Sequence, residues 1–336
     1  MSNHSNTKTA CSSNKALRVL FIASGNHGAP SPVVQNQGDA LVSEGVSVDY
    51  FLIKGKGVKG YMKNVKPLRK YLKEHQYDAM HAHYSLSAFV ASLAGAKPLV
   101  VSLMGSDVKA AGWYKFIIRI FAFFFHWKAI IVKSNDMYRS LGIRRAIIIP
   151  NGVNLERFRH MDQAECQKRL GWSERVRELE KERIREMVHI LFPANASHPE
   201  KDYALAEAAV KELANERVSE LEIELHAFDN TPNEEAPYWY NAADVVLMTS
   251  KWEGSPNAIK EALACSRPIV VTNVGDVVER TSGVEGCFVA QSRDPQELSL
   301  LLQQALSFHA THGRERIMED GLDSHRINKK LIELYR

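Results

Sequence analysis

Two carboxylates eight positions apart, Glu253 and Glu261, flank the turn Gly254-Ser255-Pro256-Asn257 in the stretch SKWEGSPNAIKEALACSRPIVVTNVGD, residues 250–276. If that turn opens a helix, its unpaired N–H groups and the positive end of the dipole suit phosphate or sugar oxygens. Carboxylates at the same helix start accept hydrogen bonds from hydroxyl pairs, as on a ribose or hexose. Pro256 is compatible with the first turn, where the N–H it lacks would have no partner. Taken alone, the two glutamates are equally consistent with capping and solvated charge.

Other chemistries find little support. Cys11, Cys166, Cys265 and Cys287 are scattered, without Cys-x-x-Cys spacing, as in a cytoplasmic protein with reduced thiols. No His, Cys or Asp group has metal-ligand spacing, and no Asp-x-Asp or Ser-His-Asp arrangement is evident. The expectation is no cofactor and no metal. Gly25 and Gly28, in GNHGAPSP, do not form the G-x-G-x-x-G of a dinucleotide site.

The elements that must position the turn read as α/β. At 336 residues with 45% hydrophobic content, two soluble domains of about 150 residues each are expected. Short apolar runs alternate with helical patterns in both halves, the sign of parallel sheets. Strands are predicted at 18–24, 46–53, 77–83, 98–105, 129–134 and 145–152, then at 188–194, 221–228, 243–250, 267–273 and 285–290. Helices are predicted near 33–44, 62–74, 163–186, 202–216 and 328–336. Two doubly wound domains joined near 151–158 would face one another, with ligands bound outside the carboxyl ends of the strands.

The net charge of +4 conceals an asymmetry. Residues 1–150 hold 20 Lys and Arg against 7 Asp and Glu, whereas the remainder holds 23 against 32. The basic half suits a polyanionic surface or ligand. The run WYKFIIRIFAFFFHWKAIIV, 113–132, is interrupted by Lys115, Arg119, His126 and Lys128 and falls short of a membrane span. Its mixture of aromatic and basic residues is that of an interfacial helix, or else Phe121–Phe125 belongs to a core helix. The polar first residues, MSNHSNTKTACSSN, have no signal-peptide core and read as a disordered tail.

The segment EGSPNAIKEALACSRPIVV resembles the donor-site signature of the family 4 retaining glycosyltransferases, E-G-x-P-x-x-x-x-E-A-x-A-x-x-x-P-[IV]-V. The stretches VSLMGSDV, HAHYS, IIIPNGVNLERF and YNAADVVLMTSKWEGSPN are similar to other parts of that family, so the likeness covers residues 17–290. It implies the GT-B fold: a tail over 1–16, an acceptor-side domain over 17–153 and a donor domain over 154–315. A C-terminal helix within 316–336 would pack back on the first domain.

The resemblance implies that Glu253 contacts the transferred sugar and stabilises an oxocarbenium-like transition state. It implies further that Glu261 binds the nucleotide ribose, that Gly254, Ser255, Pro256 and Asn257 hold sugar and phosphate oxygens, and that Lys201 neutralises the diphosphate. His83 would lie near the sugar, and Gly28 in the glycine loop near the diphosphate. His81 reads as a packing residue, and Asp107 either orients an acceptor hydroxyl or closes a loop bond. The family has an arginine five or six residues before the lysine. Here Asn195 and Ala196 stand there, with His198 as a substitute cation.

The function so implied is retaining transfer from a nucleotide-diphosphate sugar to a glycan or lipid-linked acceptor, in polysaccharide or glycoconjugate biosynthesis. The place would be the cytoplasm, with contact at an anionic membrane surface. The absent arginine supports an alternative, a non-catalytic partner subunit of a heteromeric transferase. The basic residues are not interleaved as in a nucleic-acid motif, so no nucleic-acid partner is expected.

Overall fold

The computed structural model describes residues 16–26, 28–109, 112–172, 186–216, 221–229 and 231–336. The expected tail up to Lys15, with Cys11, and residues 173–185 of the charged helix expected near 163–186 lie outside them.

Both halves form parallel sheets. The first has six strands, β1 (Arg18–Ser24), β2 (Ser47–Ile53), β3 (Ala79–His83), β4 (Leu99–Ser102), β5 (Ala129–Val132) and β6 (Ala146–Ile148), in the order β2-β1-β3-β4-β5-β6. The second has β7 (Glu186–Phe192), β8 (Leu221–Ala227), β9 (Val245–Met248), β10 (Ile269–Thr272) and β11 (Cys287–Ala290), in the order β11-β10-β9-β7-β8. Parallel strands covered on both faces need apolar residues at consecutive positions, which is why β4, β5, β9 and β10 are buried throughout. The winding reverses at β1/β3 and at β7/β9, so the loops leaving those strands open crevices at the carboxyl edges of the two sheets.

The basic helix expected over 62–74 is two helices, Gly57–Met62 and Val65–Glu74. They part at Asn64, whose amide group donates to Lys54 O and Gly60 O, both at 2.9 Å.

The aromatic run also divides. Helix Gly112–Phe124 ends before His126, which has φ 47°, and β5 follows. Ile118 and Ala122 face the core, while Trp113, Phe116, Ile120, Phe123 and Phe124 are exposed on the opposite side. The spacing i, i+3, i+7, i+10, i+11 places these five on one helix face. The basic residues do not share it. Lys115 donates to Ser140 Oγ at 2.9 Å, Arg119 to Leu141 O at 2.7 Å, and Lys128 to Tyr335 O at 3.2 Å. The face is aromatic, and these three cations hold neighbouring elements. No helix among the described residues is long and apolar enough to cross a membrane.

The last helix, Ser324–Tyr335, is capped by Asp323, whose side chain accepts from Arg326 N at 2.9 Å. It lies on the first domain, with the buried Tyr335 hydroxyl 2.7 Å from His81 Nδ1 and His325 Nδ1 2.5 Å from Glu44 Oε1. A parallel bridge from Val153 to Asp323 anchors it beside the crossover between the domains.

Candidate active site

A cavity of about 580 Å³ opens between the domains, at the carboxyl edges of both sheets. Strand β9 and its continuation deliver Met248 and Ser250 to its wall, and the loop after β7 delivers Asn195 and Lys201. Thr249 Oγ1 ties the two loops by donating to Asp202 O at 2.8 Å and Lys201 O at 3.1 Å. Arg293 reinforces the junction: it donates to Ser250 O and Thr249 O and pairs with Asp202 at 2.6 Å.

This scaffold brings Lys201 Nζ to 2.5 Å from Glu253 Oε1, which also accepts from Ser250 Oγ at 3.0 Å. Helix Asn257–Ala264 starts beside the pair. Its N-cap, Pro256, supplies no side-chain cap, so first-turn N–H groups remain for a ligand. Further along the cavity, half-buried Glu261 accepts from Tyr240 OH at 2.9 Å. Burial raises the Glu261 carboxyl above its ordinary value, and the Tyr240 hydroxyl offsets part of that.

The domains approach backbone to backbone at this point. A Cβ on Gly105 would lie 3.0 Å from Gly254 N, and within the second domain one on Gly275 would lie 2.6 Å from Gly254 O. Gly275 has φ +60°, a conformation glycine tolerates and other residues resist. Lys260, buried beneath the turn, donates to Asn151 O at 2.8 Å and Ser255 Oγ at 3.3 Å. Burial pushes its ammonium down to about 8.

Of the residues singled out in the sequence, Glu253, Lys201, Asn195, Gly254, Ser255, Pro256, Asn257 and Glu261 all line the cavity. Gly28, His198 and His83 do not. Gly28 sits in a tight turn, donating to Gly25 O at 3.0 Å with φ +83°. His198 is exposed and lies 3.5 Å from Glu200. His83 is buried against the rings of His81 and Phe21, at 4.2 and 4.5 Å between centroids. Burial, with Lys133 nearby, holds its imidazole down at about 3.

His81 is a packing residue, bonded to Tyr335 and to Ser102 Oγ at 2.8 Å. Asp107 closes a loop: its carboxylate accepts from Met104 N at 2.6 Å and from the Ser85 N–H and hydroxyl. Burial pushes that carboxyl up to about 7.

Sequence reasoning did not single out Lys133, which follows β5 and lines the cavity although its side chain is buried. The signal available was a lysine closing an otherwise apolar strand, AIIVKS. It also missed a pairing across β7 and β8. His189 Nδ1 lies 3.0 Å from His226 Nε2 and 3.6 Å from Glu224 Oε2, and Trp172 stacks on His226 at 3.7 Å. These three ligand atoms are close enough to share a metal ion, but none of the residues lines the cavity.

Residues 17–157 match the family described as Glycosyltransferase Family 4, and residues 184–307 match Glycosyl transferases group 1. The two matches fall one on each domain, and both are to glycosyltransferase models. D-inositol 3-phosphate glycosyltransferase from Geodermatophilus obscurus is 26% identical over 197 residues, 49% of this chain and 41% of that protein. The match therefore spans about two fifths of that relative's length. Among solved structures, sucrose-phosphate synthase from Thermosynechococcus elongatus gives a TM-score of 0.70 at 16% identity, covering 96% of this chain and 98% of that one. Anabaena HepE, in complex with UDP and glucose, gives 0.68 at 18%, covering 95% and 99%. Likeness at these identities establishes the fold, which is GT-B.

Proposed function

We propose that the chain transfers a sugar from a nucleoside diphosphate sugar to a glycan or lipid-linked acceptor, with retention at the anomeric carbon. The observation that carries this reading is the Lys201–Glu253 pair beside a helix start without a side-chain cap in the interdomain cavity. Lys201 and the helix N–H groups take the diphosphate, Glu253 takes the sugar, and Glu261 takes the ribose hydroxyls. The C1–O bond to the diphosphate breaks, the acceptor oxygen bonds C1 on the same face, and the hydroxyl proton passes to the departing phosphate oxygen. Glu253 stabilises the positive charge that develops at C1. The lysine and the helix dipole stand in for a metal ion, and the reaction is metal-independent.

The exposed aromatic face of helix Gly112–Phe124 suits the cytoplasmic surface of a membrane and a lipid-linked acceptor, in polysaccharide or glycoconjugate biosynthesis. A second reading, a non-catalytic partner of a heteromeric transferase, draws on one observation: no arginine occurs between Arg185 and Arg217 to assist Lys201.

The test is incubation of the isolated chain with a panel of nucleotide sugars in the presence of EDTA, read by mass spectrometry. Transfer or donor hydrolysis supports the first reading. Inertness toward the whole panel, reversed by an added partner protein, supports the second.

A further inference from the structure

One group on the cavity wall has no part in the chemistry above. Lys133 is 3% exposed, yet it lines the cavity with Met104 and Gly105. Among the described residues, the hydrogen-bond partner of its ammonium is Ser102 Oγ, at a long 3.4 Å, and it forms no ion pair. The charged group that acts on it most is Lys260, another cation. Around it stand His81 and His83, both kept neutral by burial, and the His83 Nε2 atom is itself buried without a partner.

A buried ammonium is stable when an anion accompanies it, and the fold supplies none here. Burial and Lys260 accordingly push Lys133 down to about 7, so it stands ready to regain its proton when an anion arrives.

The position of Lys133 restricts what that anion is. Gly105, beside it on the cavity wall, packs on Gly254. Met137, four residues on, would meet a Cβ on Gly254 at 2.8 Å. Lys133 thus belongs to the end of the cavity where Glu253 and the Gly254-Ser255 turn hold the transferred sugar. The diphosphate has Lys201 on the opposite domain, and the ribose has Glu261. Of the donor's groups, the sugar ring and its substituents are then the ones left for Lys133. A neutral hexose would leave the ammonium unpaired.

We propose that the donor sugar is acidic: a hexuronic acid whose carboxylate pairs with Lys133 inside the cleft. The inference rests on the donor-site reading given above and adds the class of sugar to it.

Calorimetric titration at pH 8 with UDP, UDP-glucose, UDP-glucuronic acid and UDP-galacturonic acid tests it, using the full chain and Lys133→Met. At least one uronic acid donor should bind ten times or more tighter than UDP-glucose. Its binding should take up a proton from the buffer, seen as a heat that changes with buffer ionisation enthalpy. Lys133→Met should melt no lower than the parent chain, bind UDP within twofold of it, and lose both the preference and the proton uptake. If UDP binds but neither uronic acid is preferred, the inference is overturned while the donor site stands. It is also overturned if Lys133→Met weakens UDP as much as the uronic acid, which would make Lys133 a diphosphate clamp. If none of the four ligands binds the parent chain, the donor-site reading fails and carries the inference with it.

Discussion

The ammonium of Lys201 meets the carboxylate of Glu253 at 2.5 Å, joining loops that leave the neighbouring strands β7 and β9. In the ligand-free site each neutralises the other. On the proposed mechanism a bound donor parts them, drawing Lys201 to the diphosphate and leaving Glu253 to the sugar.

Glu253→Ala is expected to abolish transfer and keep the fold, because it removes a cavity side chain rather than a core one. Lys201→Ala should lower turnover on the order of a hundredfold, the scale for losing one preorganised charge stabiliser. Since the two act as a pair, the double variant should lose less than the product of the single losses. Steady-state rates of the three variants check this, and near-parental turnover in Glu253→Ala would remove it from the mechanism.

Glu261→Gln should weaken nucleotide binding about tenfold, in keeping with hydrogen bonds to a charged acceptor. Burial raises this carboxyl, so nucleotide affinity should decline with falling pH at values where an ordinary glutamate is still ionised. Tyr240→Phe removes the hydroxyl that holds the charged form and should move the decline to higher pH. Nucleotide titrations across pH follow both effects.

Gly275→Ala should destabilise the chain by about 1–2 kcal/mol from backbone conformation alone. Contact of the new methyl group with Gly254 O, at 2.6 Å, adds to that. Urea unfolding measures the loss. A variant as stable as the parent would show that the loops after β9 and β10 do not pack on this contact in solution.

The stability of the ligand-free chain should rise between pH 7.5 and 9.5. Lys133 is pushed from 10.5 down to about 7 and Lys260 to about 8. In that window the unfolded lysines still hold protons that the folded ones have released, so raising the pH favours folding. Each group contributes at most about 1.4 kcal/mol per pH unit. Melting temperatures should climb across the window, and Lys133→Met should flatten the climb.

Membrane contact, if made by helix Gly112–Phe124, should depend on apolar insertion. Lys115, Arg119 and Lys128 bond to the protein, and five large apolar side chains face outward. The Trp113→Ser/Phe123→Ser double variant should lose most co-sedimentation with liposomes, and high salt should reduce binding by the parent chain only in part. No binding at all would point to a soluble glycan acceptor.

Much of the fold was legible because parallel strands are local in sequence. Runs such as RVLFIAS and AIIVKS announce β1 and β5 through consecutive apolar residues, and β1 occupies the stretch read for it. The turn after Glu253 was legible for a similar reason, since glutamates, turn and helix start lie within nine residues. Partners distant in the chain were not legible. Lys133 and Lys260 become neighbours only when the domains meet, and His189 finds Glu224 and His226 only through the β7–β8 register. The run at 113–132 was legible only in part, because composition cannot say which way a side chain turns. Lys115, Arg119 and Lys128 bond to hydroxyl and carbonyl groups of the protein, and several of the phenylalanines point out.

Contact between Gly105, Gly254 and Gly275 sets the width of the sugar end of the cleft with main-chain atoms alone. No side chain on these glycines can be shortened, and lengthening Gly105 or Gly254 presses on the facing domain, while lengthening Gly275 displaces the Gly254 loop that it supports. Re-engineering this chain toward another donor must therefore leave that gauge fixed and work on the surfaces around it, beginning with Met104 and Lys133.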